Sequence, residues 1–188
     1  MDILAVAARL KIGTRHCFTA PDRKESIADH SWRVALTAML LSREDAFAGY
    51  NMNRVIRMCL IHDLGEAFTG DIPSFEKCAG QEAAEAQAFD RWVATFPAPQ
   101  REEWQSLLAE MTAQETPESK LYQALDKLEA VISHDESDLL TWLPLEFDLQ
   151  LTYGQEQAAF SPYLREWKAA IDELTRKKID AFRNRSLS

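Results

Sequence analysis

His62 and Asp63 stand side by side in RVIRMCLIHDLGEAFTGD, near the end of an apolar segment, Val55 to Phe68, whose periodicity predicts a buried helix. A helix turns about 100° per residue, so both side chains can address one centre while Glu66 lies one turn beyond His62. Burying an imidazole and two carboxylates without partners is costly, and a divalent cation would compensate them. Two other segments carry similar groups. In ESIADHSWRVALTAMLL, a helix capped by Ser26 or Asp29 sets His30 four positions before Val34, on the apolar face with Ala35, Ala38 and Leu41. In SKLYQALDKLEAVISH, Asp126 falls beside the core stripe Leu121, Leu125, Leu128 and Ile132, with Tyr122 one turn before it. Each residue alone has a plainer role, a satisfied core histidine or a solvated helix aspartate. Their combination is less easily explained so.

In chain order, His30, the His62-Asp63 pair and Asp126, each on its own predicted helix, resemble the H...HD...D signature of the HD-domain metal-dependent phosphohydrolases. The flanks ESIADHSWRVA, IHDLGEAFTGDIPSFEK and ETPESKLYQALDKLEAVISH are similar, more narrowly, to the small 5'-deoxynucleotidase branch, the nucleoside monophosphate phosphatases. The likeness covers about residues 8 to 135 and weakens beyond them. It implies that His30, His62, Asp63 and Asp126 hold one divalent ion. Their mixed nitrogen and oxygen donors suit Mn, Co, Fe, Ni or Zn, with Mg also open, and do not name the metal. The implied reaction is hydrolysis of (deoxy)ribonucleoside 5'-monophosphates to nucleoside and phosphate. Unassisted phosphate ester hydrolysis is very slow, and a divalent ion lowers the pKa of water and polarises a phosphoryl oxygen.

The same resemblance suggests Glu66 as general acid or base. Asp71, just past the helix stop at Gly70, either orients the water or protonates the leaving alkoxide, and the division of work with Glu66 stays open. Arg15, in RLKIGTRHCF, occupies the place where relatives present an arginine to the substrate phosphate, and Lys77, closing GDIPSFEK, is a second candidate cation. Some relatives carry a tryptophan where this chain reads His16, Cys17 and Phe18. Phe18 or His16 is a candidate to stack on a nucleobase, and base and sugar preference stay open.

Composition narrows the function classes. The 188 residues suit one domain, 1–188, and the net charge of -9 with no basic stripe opposes binding of a nucleic acid polymer. No apolar run is long enough to span a bilayer, and the start, MDILAVAARLKIG, is amphipathic rather than signal-like, so no membrane partner is expected. Cys17, Cys59 and Cys78 show no C-x-x-C spacing and read as reduced thiols of a cytoplasmic protein. Cys59, three positions before His62, reads as a buried core thiol.

Nearly every segment has helical periodicity, and no useful alternating strand pattern appears. The expected fold is all-α, a single compact HD-domain bundle of about six to eight helices. Its metal site lies within about residues 15–126, and a last helix over about 162–184 has Tyr163, Trp167, Ile171, Leu174 and Ile179 on its inner face. The second predicted helix runs from Ile27 to Phe47, Asn53 caps the third, and Thr116-Pro117 opens the Asp126 helix. The aromatic-rich second half, with Trp142, Phe147, Tyr153, Phe160 and Tyr163, suits a homodimer surface, as in related nucleotidases. Two other function classes stand as alternatives. One is an HD hydrolase of a nucleoside triphosphate, cyclic dinucleotide or alarmone, for which only His16 and His134 offer extra imidazoles. The other is a non-catalytic metal- or nucleotide-binding module, against which Glu66 and Asp71 argue, since a structural ion needs no proton shuttle.

Overall fold

The computed structural model describes residues 3–73, 75–76 and 78–186, with side chains as far as 184. Ten α-helical segments occur among them: α1 (Ile3–Ala7), α2 (Ile27–Leu41), α3 (Met52–Ile61), α4 (Glu66–Thr69), α5 (Ala79–Val93), α6 (Gln100–Ala113), α7 (Pro117–Glu136), α8 (Glu146–Thr152), α9 (Gln155–Ala158) and α10 (Pro162–Ser186). Three of these, α1, α4 and α9, are little more than single turns, so the expected all-α bundle is the observed one. A small antiparallel hairpin, β1 (Thr14–Ala20) and β2 (Arg23–Ser26), is the departure.

That hairpin escaped the sequence pattern because β2 reads RKES, four polar residues with no alternation to register. Its pairing is irregular. Thr14 faces Ser26 and Phe18 faces Lys24, so four steps along β1 match two along β2. The extra length bulges between the two pairs. As a result the successive residues Arg15, His16 and Cys17 all line one cavity, where a regular strand would turn alternate side chains away.

Local signals place most helix starts. Ser26 caps α2 in a reciprocal box with Asp29, each side chain accepting the other's backbone N–H at 3.0 Å. Thr116 accepts from Ser119 N at the start of α7, with Pro117 in the first turn. The third helix is capped by Asn51 rather than Asn53, its side chain accepting from Arg54 N at 3.1 Å. Helix α2 ends at Leu41, and Asp45–Phe47 form a separate 3-10 turn that still buries Phe47.

The core lies where α2, α3 and α7 pack on one another, with Val34, Ala38, Val55, Cys59, Leu121, Leu125 and Leu128 fully inside. A second cluster joins α1, the outer side of α3, α5 and α6 through Phe89, Trp92, Phe96 and Trp104, whose rings meet mostly edge-on. Helix α10 turns Leu164, Ile171 and Ile179 inward, but Leu174 is 64% exposed and belongs to its outer face. Four of the five aromatics of the second half are engaged within the chain. Trp142 packs on Phe147, Tyr163 on Phe47, and Tyr153 lies under Lys127, while Phe160 is partly exposed.

If α7 is the central helix, Leu121→Ala, at a fully buried position away from the charged residues, should lower unfolding stability by about 2–5 kcal/mol. Urea denaturation with a chelator present, which removes metal linkage, would measure it; a loss below about 1 kcal/mol would contradict that packing.

Candidate metal centre and active site

Helix α3 stops at Ile61, so His62 and Asp63 sit at its end rather than inside it. The chain then continues through tight three-residue bonds: Leu64 N to Ile61 O at 3.1 Å, Glu66 N to Asp63 O at 3.0 Å and Phe68 N to Gly65 O at 3.0 Å. Gly65 lets α5 pack closely on this turn, because a Cβ there would stand 2.9 Å from Glu85 Cγ. The tightened turn brings two adjacent side chains to one centre.

His30 and Asp126 meet them there from α2 and α7. His30 Nε2 lies 3.0 Å from Asp126 Oδ1 and 3.3 Å from His62 Nε2. The donors of His30, His62 and Asp126 all fall within 4.8 Å of one another. Asp63 Oδ2 flanks the group, 3.2 Å from His62 Nε2 and 3.8 Å from His30 Nε2. Each imidazole is fixed by its other nitrogen. His62 Nδ1 lies 2.8 Å from Cys59 O, and His30 Nδ1 pairs with Glu129, which leaves both Nε2 atoms turned to the centre. Cys59 thus contributes its carbonyl, while its thiol is buried and burial pushes its pKa up.

The donor chemistry fits a divalent cation. Glu66 Oε2 is buried without a hydrogen-bond partner among the described residues, and Asp63 Oδ2 has ion-pair contacts to Arg15 and His62 but no hydrogen bond, a costly arrangement that a bound cation would relieve. Burial would raise the Asp126 carboxyl, but Lys127, His30 and His62 hold it well below the ordinary range. Burial and Arg15 work against a charged His30, and Asp126 and Glu129 outweigh them, giving a pKa of about 9. Burial pushes the Glu66 carboxyl up to about 10, with Asp63 and Asp71 adding repulsion. A cation beside Asp63 would oppose that repulsion and return Glu66 toward a useful proton affinity.

One cavity of about 230 Å³ opens onto this centre, and Asp63, Glu66, Asp71 and Asp126 lie on its walls. Arg15 reaches it from the β1 bulge, with Nη1 3.5 Å from Asp63 Oδ2 and Nε 3.2 Å from the fully buried Glu25. Burial disfavours its charge, yet Asp63, Asp126, Asp71 and Glu25 more than reverse this and keep the guanidinium protonated. Phe18 is not brought there. It pairs with Lys24 across the hairpin, 5.8 Å from the ammonium, and lines a separate cavity with Leu139 and Phe182. Lys77 lies outside the described residues.

Sequence reasoning passed over three contributors. Lys127 lines the cavity with Nζ 2.9 Å from Asp126 Oδ2 and is held protonated by Asp126 against burial. Glu129 orients His30 and is steadied by Arg33 Nε at 3.1 Å. Glu25 anchors Arg15 and accepts from Ser133 Oγ at 2.6 Å. Glu129 carried a sequence signal, since it lies three residues after Asp126 on the same helix face. Glu25 carried none, because its partners lie on a strand and a distant helix.

Known proteins resemble the chain along most of its length. Residues 7–168 match the family model described as HD domain. The chain is 30% identical over 124 residues to human 5'-deoxynucleotidase HDDC2, covering 65% of this chain and 59% of that protein. The mouse protein of the same name is 31% identical over 117 residues, covering 61% and 57%. The chain therefore spans less than two thirds of the length of these curated relatives. To 5'-deoxynucleotidase YfbR of Escherichia coli it is 27% identical over 184 residues, covering 89% of this chain and 92% of the other. A crystal structure titled as a predicted metal-dependent phosphohydrolase from Magnetospirillum magnetotacticum MS-1 superposes with a TM-score of 0.75 at 28% identity, covering 94% and 92%. With the family model spanning most of its length and the histidine, histidine-aspartate and aspartate side chains gathered at one centre, the chain belongs to the HD-domain family.

Proposed function

We propose that the protein is a metal-dependent phosphomonoesterase that hydrolyses nucleoside 5'-monophosphates, with deoxyribonucleotides in its range. The observation that carries this reading is the meeting, in one cavity, of a divalent-metal donor set, two cationic side chains and a buried carboxyl outside that set. The names of the 5'-deoxynucleotidase relatives support the substrate class.

His30, His62, Asp63 and Asp126 would hold the ion, which when bound polarises a phosphoryl oxygen and lowers the pKa of water. Arg15 and Lys127 bind the phosphate dianion, whose charge they match from two sides of the acidic centre. Glu66, through its unpartnered Oε2, accepts the proton of the attacking water and returns one to the departing 5'-oxygen, so no net proton is consumed. Asp71 shares the cavity and orients the water. His30 is held in register by Glu129, and Arg15 by Glu25, so the substrate meets groups already in place.

Phosphate release from a panel of ribo- and deoxyribonucleoside 5'-monophosphates tests the reading. Hydrolysis should stop on chelation and return with a divalent ion; silence across the panel with metal bound would overturn it. Glu66→Gln should keep its metal content while kcat falls by about 10²–10⁴-fold, and loss of metal and turnover together would make Glu66 a ligand instead. Arg15→Ala and Lys127→Ala should each raise KM for monophosphates by about tenfold or more, because each removes a charge-assisted contact. An unchanged KM in steady-state kinetics would remove that residue from the phosphate site.

A further inference from the structure

The wall of the cavity away from the metal centre holds a second polar cluster that the proposed hydrolysis does not use. His16 comes from the β1 bulge, His134 from the last turn of α7, and Glu146 and Gln150 from successive turns of α8. Glu146 is 2% exposed and stands between the two imidazoles, its Oε1 3.3 Å from His16 Nε2 and its Oε2 3.3 Å from His134 Nε2. Oε2 also accepts from Leu143 N at 2.6 Å. Trp142 packs against His134 with ring centroids 4.7 Å apart. Gln150 is 7% exposed, and its buried Oε1 has no hydrogen-bond partner among the described residues.

An acceptor buried beside a cavity without a donor is destabilising, so the unpartnered Gln150 oxygen, one turn from Glu146 on the same wall, points to a ligand that donates. Position indicates which part of the ligand. Asp126 and His134 lie eight residues apart on α7, about 12 Å along the helix axis. With the phosphate at the Asp126 end, between Arg15 and Lys127, this wall stands at the reach of the nucleobase. A carboxylate only accepts hydrogen bonds, and the Gln150 oxygen adds another acceptor. Adenine, cytosine and guanine offer an exocyclic amino group to such a wall. Thymine and uracil offer one ring N–H between two carbonyl oxygens, which would face the carboxylate.

We propose that Glu146, clamped by His16 and His134, forms with Gln150 a base-recognition wall that selects nucleoside 5'-monophosphates bearing an exocyclic amino group over those of thymine and uracil. The assignment rests on the phosphomonoesterase reading above. Burial, partly opposed by Glu146, lowers the pKa of His134. Two imidazoles and a carboxylate are also a metal donor set. Here, however, the imidazoles address different oxygens of Glu146, and the donors do not gather within 4.8 Å as those of His30, His62 and Asp126 do.

Deoxycytidine and deoxyuridine 5'-monophosphates differ at the amino position and make the sharpest pair. The metal-loaded enzyme should favour the deoxycytidine nucleotide in kcat/KM by about tenfold or more, the scale of one well-placed polar contact. Glu146→Gln should bring the ratio close to one, chiefly by lowering kcat/KM for the deoxycytidine nucleotide, while metal content persists. Gln150→Leu should reduce the ratio in the same direction, and it serves if Glu146→Gln loses its fold with the Leu143 bond. Equal kcat/KM for both nucleotides in the unaltered enzyme would overturn the wall and leave the phosphomonoesterase standing. Hydrolysis of neither, with metal bound, would overturn the underlying reading itself. A second equivalent of divalent ion that disappears with Glu146→Gln would also overturn the proposal and make the cluster a metal site.

Discussion

Repulsion among carboxylates, one buried and three half-buried, governs the centre of this molecule. Asp63, Glu66, Asp71 and Asp126 line one cavity, with Arg15 and Lys127 as counter-charges among the described residues. Negative charge at such density in a poorly solvated site is stable only if cations are held close to it. The Asp126 carboxyl is kept ionised by Lys127 and the imidazoles, while the Glu66 carboxyl is driven upward by burial and by Asp63 and Asp71, which Arg15 only partly offsets. This inequality separates a residue that binds from one that moves a proton, and a cation at the His30, His62, Asp63 and Asp126 donors would sharpen it.

Helix α7 organises the response. Its inner face packs Leu121, Leu125 and Leu128 into the core, which fixes the helix against α2 and α3. Along its length Asp126 faces the metal centre, Lys127 the phosphate region, Glu129 the back of His30, Ser133 the back of Glu25, and His134 the far wall. One rigid element therefore sets the spacing between the two ends of the cavity. Pre-organisation of this kind, in which hydrophobic packing fixes polar geometry, lets the site bind charge without large rearrangement.

The hairpin has the complementary task. Its bulge lets three successive residues reach the cavity, which a helix or a regular strand at that position would not allow. Arg15 then gains its anchor in Glu25 across the strand pair, and His16 reaches Glu146 on α8. An irregular strand in an otherwise helical chain is thus where the two halves of the site are joined.

Much of this was already legible in the residues. Helix periodicity and capping depend on neighbours within a turn or two, so α2, α7 and their caps, and the burial of His30 beside Val34, could be read locally. The H, HD and D residues could be picked out because metal chemistry restricts which side chains serve. Contacts between segments far apart in sequence were another matter. Glu129 reaches His30 across 99 positions and Ser133 reaches Glu25 across 108, and no local pattern encodes either. The side to which Phe18 turns depends on strand register, and the pairing of His16 with His134 depends on how α8 folds back over α7. By itself the sequence determined the helices and the chemical kinds of group placed on their inner faces. The tertiary structure alone decided which of those groups meet, because buried polar contacts are set by packing between distant segments.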